Sequence, residues 1–446
     1  MSAPGPRTTT PFGHLLAFRS DPLGFLTRVA EVHGDVAALR LGPYRVWQLT
    51  HPDLVREVLV THAGRFRKSP VLQRARMVLG DGLLTAEGDH HRRHRRLLQH
   101  AFHPQRVDGY ADAMVHRAAT TAERWTSGTE VDVHAAAVRM TLETAGTTLL
   151  GTEVTDDVDL VEEAIEDLLS AYRLAFVPLG WRLRNLPVGP PRRLRRGRQA
   201  LHDLIERMIH ERRTSGGDAG DLLSNLVLAD PQDRLTDEEI RDEALTLLLA
   251  GHETTANALA FSLWLIAEDE RLQDRVHEEV DAVLGGRAAT GDDRARLPTC
   301  RGVVAEALRL YPPSWAIARQ AVEDHPVDGH LVPSGDLVIV PPWVVHRDPR
   351  WWPAPRVCDP DRWAADATTD RPRSAFFPFG GGARRCIGEG FAWTEGVLAL
   401  ATIASRWRLQ RVPERPPVLD PVITLRPRDG VWLRPEARGR PSPHRS

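Results

Sequence analysis

The chain reads as a mainly α protein with a small β-rich region near its N-terminus. Two short β-type runs, Val36 to Leu41 and Tyr44 to Leu49, flank Gly42-Pro43, a turn signal. Most later segments place apolar residues at helical spacing. The 446 residues, 42% of them hydrophobic, suffice for one large domain or two to three ordinary ones with ample core. Residues 1–20 are expected to be a flexible lead-in. Residues 435–446 are polar and Pro-rich and are expected to be a disordered tail.

The formal net charge of −2 argues against a nucleic-acid binder. Lys68 is the only lysine, and every other basic side chain of this kind is arginine, so a single arginine carries little information. The cysteines, Cys300, Cys358 and Cys386, give no disulfide framework, which favours cytosolic chemistry and a cytoplasmic location. No apolar run reaches the roughly 18 residues of a membrane span, and the N-terminus lacks the apolar stretch of a secretion signal.

In chain order, Pro22 to His33 reads as a helix, followed by the two strands. His51-Pro52-Asp53 opens a helix with Leu54, Val55, Val58 and Leu59 on one face. Gly88 to Phe102 is rich in His and Arg. His90, His91 and His94 have metal-ligand spacing, but Arg92, Arg93, Arg95 and Arg96 repel a cation and only Asp89 offers a nearby carboxylate, so a metal site is disfavoured. His91 and Arg95, at i and i+4, share a helix face and can point at one carboxylate. Arg92, Arg93 and Arg96 read as a solvated face, able to dock an acidic partner. Asp159 to Leu169 is an acidic amphipathic helix. Ala171 to Pro191, broken by Pro178, Gly180, Pro187 and Gly189, reads as a lid. Arg192 to Arg213 is an arginine-rich helix with Leu201, Leu204, Ile205 and Met208 on its apolar side, and Thr214 to Ala219 a polar loop.

Thr236, with acids after it and Glu239 at the box position, caps a long helix that runs past Leu265. Its middle reads Ala250-Gly251-His252-Glu253-Thr254-Thr255. Gly251 removes a side chain where a ligand can lie. Thr254 can bond back to the carbonyl of Ala250 and loosen the helix, and an alcohol beside an acid can hold and pass a proton. Read alone, this stretch is equally a kinked core helix. Val303 to Leu310 carries Glu306 and Arg309 at i, i+3 in apolar surroundings, where charges must pair. Pro312-Pro313 ends that helix.

Phe379 to Gly388 reads Phe-Gly-Gly-Gly-Ala-Arg-Arg-Cys-Ile-Gly. The glycines let the backbone turn with positive φ and approach a flat ligand. An amphipathic run from Phe391 to Ala404 follows, so Cys386 lies at or before a helix start. Unpaired N–H groups and the helix dipole there favour thiolate. A lone cysteine after such a turn is more often a structural one.

The order F-x-x-G-x-R-x-C-x-G resembles the cysteine loop of the cytochrome P450 family, the haem-thiolate monooxygenases. Ala250 to Thr255 resembles the family's oxygen-activating segment A-G-x-[DE]-T-[TS]. Glu306 and Arg309 resemble its E-x-x-R pair, closed by Arg362 within Asp359-Pro360-Asp361-Arg362-Trp363. Gly88 to Phe102 resembles its haem-propionate helix, with His91 where tryptophan is common. Cys358 stands where phenylalanine is usual, and a smaller buried side chain is expected there. The resemblance spans Pro22 to Leu433.

It implies a single triangular, mainly α domain over residues 21–434 holding haem b, with Cys386 as axial iron ligand, donating electron density that favours O–O cleavage. Gly251 and Phe379 would border the haem, and His91, Arg95, Arg319 and Arg384 would anchor its propionates. Thr254 would hydrogen-bond oxygen at the iron, with Glu253 on the proton path. Thr246, Leu249, Ala250, Ser314 and Trp315 would border substrate. The implied reaction is hydroxylation or epoxidation of a hydrophobic small molecule. Electrons would come from NAD(P)H through an external ferredoxin and ferredoxin reductase to a monomer without membrane anchor. Family-level analogy suggests an actinobacterial enzyme tailoring a terpenoid, polyketide or other secondary metabolite. A peroxide-driven enzyme, an isomerase or a haem sensor are the alternatives. The retained Glu253–Thr254 pair favours the monooxygenase.

Overall fold

Asp21 starts the first long helix by accepting the Gly24 N–H, and Gly34, at φ 78°, ends it, giving α1 (Pro22–His33). Strands β1 (Val36–Leu41) and β2 (Tyr44–Leu49) follow as an antiparallel pair, with the bounds the sequence suggests. The computed structural model describes residues 4–152, 157–164, 167, 190–215, 217, 220–228, 234–364 and 370–439.

The β-rich region is not built from N-terminal strands alone. β3 (Phe66–Lys68), β5 (Ile317–Ala321) and β8 (Leu337–Val340) complete a five-stranded sheet in the order β1-β2-β8-β5-β3. β2 and β8 run parallel, which lets a connection of nearly three hundred residues separate neighbours in one sheet. The β3–β5 register sets Lys68 opposite Arg319. β4 (Val131–Asp132) joins β12 (Trp432–Ala437) and β9 (Trp407–Arg411), while β6 (His325–Val327) pairs with β7 (His330–Val332) and β10 (Leu419–Pro421) with β11 (Leu425–Pro427).

The longer helices are α2 (Gly88–Leu98), α3 (Pro104–Glu123), α4 (Val133–Ala145), α5 (Pro190–Ser215), α6 (Asp237–Glu268), α7 (Glu270–Leu284), α8 (Pro298–Leu310) and α9 (Glu389–Arg406). α6, 32 residues long, is opened by the expected Thr236–Glu239 capping box. Met140 of α4, Leu259 of α6, Val303 of α8 and Leu398 of α9 meet in one buried cluster, so α6 is the strut around which the helical part is packed.

Three expectations need correction. Within the lead-in expected to be flexible, Leu15–Ser20 is helical, the Ala38 N–H donates to Pro4 O, and the His14 N–H donates to Arg40 O. The free edge of β1 supplies the partners for this lead-in. The disordered tail was started at Pro435, yet Pro435, Glu436 and Ala437 pair with Leu409, Arg408 and Trp407. An edge strand tolerates this proline. The polar loop expected from Thr214 begins later, because α5 continues through Ser215. Of the acidic helix, residues 158–164 are helical. Nearly all of the expected lid, Ala171 to Pro191, lies outside the described residues, and α5 starts at Pro190.

Candidate active site

Cys386 lies three residues before α9, as its sequence context suggests. Its N–H donates to Phe379 O (2.9 Å), closing the loop, and Gly380 N–H donates to Phe377 O (2.9 Å) in a tight turn at its start. Gly380 and Gly382 take the expected positive φ, but Gly381 and Gly382 face protein. A side chain at Gly382 (φ +64°) would meet the Leu59 carbonyl at 2.2 Å. The loop therefore rests on the backbone of residues 57–61, and the flat-ligand explanation does not hold at this position. Phe379 packs half-buried against Trp393 (centroids 5.8 Å apart) at the edge of the helical core.

The Cys386 side chain is open to solvent although protein surrounds it densely, which places it on the floor of an enclosed space. That enclosure pushes the thiol's pKa up. The Gly388 N–H, Arg95 and Arg385 pull it down, and Glu389 raises it further. At the bare thiol the net direction is up, because desolvation outweighs the Gly388 N–H and the two arginines.

Facing this loop is the middle of α6. Leu249 of α6 and Ile387 beside Cys386 border the same apolar cluster, with Leu98 of α2 and Leu245 inside it. Ala250 is exposed and Gly251, Glu253 and Thr254 are only half-buried, in a helix whose flanking turns are buried. A side chain added at Gly251 would have nothing within 4 Å. The Thr254 hydroxyl donates to Ala250 O (2.8 Å), the expected back-bond. Glu253 Oε1 accepts from the Thr424 hydroxyl (2.8 Å), and Asn257 Nδ2 donates to that hydroxyl (3.4 Å). His134 Nε2 lies 2.8 Å from Asn257 Oδ1.

At one edge of the space stands a buried group of cations. Arg384 donates to Glu87 (2.8 Å) and to Ala63 O (3.0 Å). Lys68 Nζ donates to Leu83 O (2.8 Å) and Ala86 O (2.6 Å), while its N–H donates to Glu87. Burial, with Lys68, Arg384 and Arg95 nearby, lowers His91 to about 4. Burial lowers Lys68 to about 8, against the pull of Glu87 and with Arg384 and Arg319 adding to the fall. Burial and Arg384 lower Arg319 to about 10. Glu87 is the carboxylate among them, held below its usual range when the Lys68 N–H and Arg384 outweigh burial. Four cationic or potentially cationic groups around one carboxylate call for further anionic oxygens. A thiol floor beside such a group fits a flat, iron-bearing cofactor with carboxylate arms.

Arg95, near His91, donates to Arg385 O (2.7 Å) beside Cys386. Next to it, His94 is paired with Glu243 (2.5 Å), which also accepts from Leu83 N–H, and lies 3.4 Å from Glu239. Burial lowers the His94 pKa but the Glu243 bond wins, and the net shift is up. Asp89 is therefore not the one carboxylate near these histidines: Glu243 and Glu239 come from α6, far along the chain. Arg93 is likewise engaged with Glu239 (3.0 Å) rather than solvated.

The ion clamp forms as expected and is larger. Arg309 grips Glu306 through Nε (2.7 Å) and Nη2 (2.6 Å), and Arg362 Nε stands 3.7 Å from it. Asp359 N–H (2.9 Å) and Trp363 Nε1 (3.0 Å) also donate to Glu306. Arg309 Nη1 reaches His346 O and Pro355 O. Cys358, half-buried, packs beside this clamp at the edge of the helical core, with Glu306 and Arg309 as its charged neighbours.

Two substrate-side expectations move. Trp315 is buried with Phe18, Phe25 and Leu26 behind the sheet, because a large aromatic ring gains most where apolar neighbours already surround it. Thr246 is buried against Gly82, its hydroxyl without a partner. Leu249 and Ala250 stay at the space, and Ser314 is half-buried on the approach to β5. Lys68, Glu87, Thr424 and Trp363 were missed. Lys68 has a signal as the one lysine in an arginine-rich chain, and Trp363 stands in the segment that carries Arg362.

A family model described as Cytochrome P450 matches residues 3–433. The chain is 39% identical to cyclooctatin synthase of Streptomyces melanosporofaciens over 90% of its length and 88% of that protein. It is 37% identical to pentalenene oxygenase of Streptomyces avermitilis over 90% of each. A crystal structure of the cytochrome P450DA haem domain superposes with a TM-score of 0.89 at 29% identity, covering 98% of both chains.

Proposed function

The chain belongs to the cytochrome P450 family, a haem-dependent monooxygenase by that membership, and from that premise we propose that it oxidises a terpenoid-type hydrocarbon. Relatives named for cyclooctatin and for pentalenene support the substrate class. So does the apolar border set by Leu249, Ala250 and Ile387.

Haem held on Cys386 supplies dioxygen activation and oxygen transfer. Lys68, His91, Arg319 and Arg384 bind and orient its carboxylate arms. Leu249, Ala250 and Gly251 leave room for substrate while Leu245, Leu248 and Leu98 exclude water behind them. The carrying observation is the Thr254 hydroxyl, back-bonded to Ala250 O on the uncovered stretch of a buried helix, with Glu253 as its neighbour. Thr254 holds a proton at Oγ1. Glu253, fixed by the Thr424 hydroxyl, replenishes it from the solvent side.

Electrons arrive from NAD(P)H through a separate ferredoxin and its reductase, in the cytoplasm, to a monomer. No helix among the described residues is long and apolar enough to cross a membrane. The test combines a reduced, carbon-monoxide-bound spectrum with a screen of terpenoid hydrocarbons for displacement of the iron-bound water. A thiolate-type band, followed by NADPH-dependent product with ferredoxin present, is the expected result. Spectral binding with no oxidised product from any binder would refute the catalytic reading.

A further inference from the structure

The segment under the cysteine loop carries a second group of metal-ligating side chains, formed by an irregular turn. Residues 57–61 wind as a π-turn, with His62 N–H donating to Glu57 O (2.8 Å). In a regular α-helix, residues five apart point about 140° away from each other. The wider turn returns Glu57 and His62 to the same side, and such turns concentrate at functional sites. His325, on β6, completes the group from sequence far away.

We infer that Glu57, His62 and His325 form a divalent-cation site of the zinc type, separate from the iron position. His325 Nε2 is 2.9 Å and His62 Nδ1 3.6 Å from Glu57 Oε1, and the three ligand atoms all lie within 4.8 Å of one another. Two ligands at about 2.0–2.1 Å from a tetrahedral zinc are roughly 3.3 Å apart, so the two measured distances bracket what the ion requires. His62 Nδ1 is buried with no hydrogen-bond partner, and it faces the carboxylate. A bound cation gives that nitrogen the partner it lacks.

The surroundings suit an ion with an open position. The Glu57 and His62 side chains are 27% and 39% exposed, while His325 is buried, with the Phe66 ring edge-on to it at 5.0 Å. Two histidines and one glutamate with a solvent-facing side are a known zinc ligand set that keeps a fourth place for water. The nearby Arg65 is paired with Glu323 (2.9 Å), which tempers its repulsion of a cation. The other grouping of this kind, His90, His94 and Glu239, is a weaker candidate. Glu243 and Glu239 already face both nitrogens of His94, and Arg93 occupies Glu239.

The site has a mechanical consequence. Leu59 O lies against Gly382, and Ala63 O accepts from Arg384. A cation tying Glu57 and His62 to β6 braces the turn on which the cysteine loop rests.

Tag-free, haem-loaded protein, stripped with a chelator and desalted, is titrated with Zn2+ by calorimetry. Metal content is then read by mass spectrometry after gel filtration. About one zinc per chain is expected, bound at micromolar concentration or tighter. Glu57→Gln keeps a hydrogen-bonding partner for His325 but removes the anionic ligand, and His62→Ala removes a half-exposed ligand. Each should weaken zinc binding at least tenfold with an unchanged haem spectrum. His90→Ala should bind as the parent does. Failure of the parent protein to take up zinc, or parent-like affinity in either Glu57→Gln or His62→Ala, overturns the assignment.

Discussion

At Cys386 two local forces oppose each other. The N–H groups ahead of α9 favour the thiolate, and the dense protein around the sulfur favours the thiol. With Cys386 as the proposed iron ligand, the metal would decide the charge, and Cys386→Ala should abolish the thiolate-type carbon monoxide band. In the proposed reaction Thr254 and Glu253 act together. Thr254→Ala should keep haem while product formed per NADPH falls about tenfold or more, with peroxide appearing instead, since a positioned proton donor contributes about 10²–10⁴-fold. Unchanged coupling would sink the relay. Thr424→Val removes the hydroxyl that holds Glu253. A smaller fall in coupling is expected, together with a changed solvent isotope effect, which packing loss alone would not produce.

At the level of elements, the clamp joins the end of α8 to the segment from Pro355 to Trp363. Glu306 and Arg309 are fully out of water, and Glu306 accepts from Arg309, from the half-buried Trp363 and from the Asp359 N–H. Glu306→Ala leaves Arg309 buried without its carboxylate, and about 3–5 kcal/mol of stability should be lost. Denaturant midpoints and haem retention after gel filtration measure it. The cysteine loop has its own weak point at Gly382. Alanine there combines positive φ with a collision on Leu59 O. Gly382→Ala should lose haem readily even where the helical core survives.

Across the whole molecule, burial sets the acid sensitivity. His277, beneath the Trp407 carbonyl, is lowered to about 4 from an ordinary 6.5, chiefly by burial. The unfolded chain then binds a proton more readily than the folded one. Its contribution to stability is present above about pH 6.5 and is lost as pH falls toward 4. The thermal midpoint should drop through that window, and His277→Gln should make the drop shallower. A second whole-molecule property is the face carrying Arg92 and Arg385, which are paired only at the surface with Asp89 and Glu389. If an acidic ferredoxin docks there, the rate of enzyme reduction should fall steeply with added salt.

What could be read without the fold was local. The bounds of α1, β1 and β2, the Thr236 cap, the Thr254 back-bond and the Glu306–Arg309 pair each depend on residues within a turn or two, so spacing alone reveals them. Family order then placed Cys386 opposite α6. The tertiary structure decided what long-range neighbours decide. Lys68 meets Arg319 only because β3 pairs with β5. Glu253 meets Thr424, and His94 meets Glu243, across more than a hundred residues. Trp315 went to the core and Gly382 to the Leu59 turn, because burial and close approach are properties of partners that spacing along one segment does not encode.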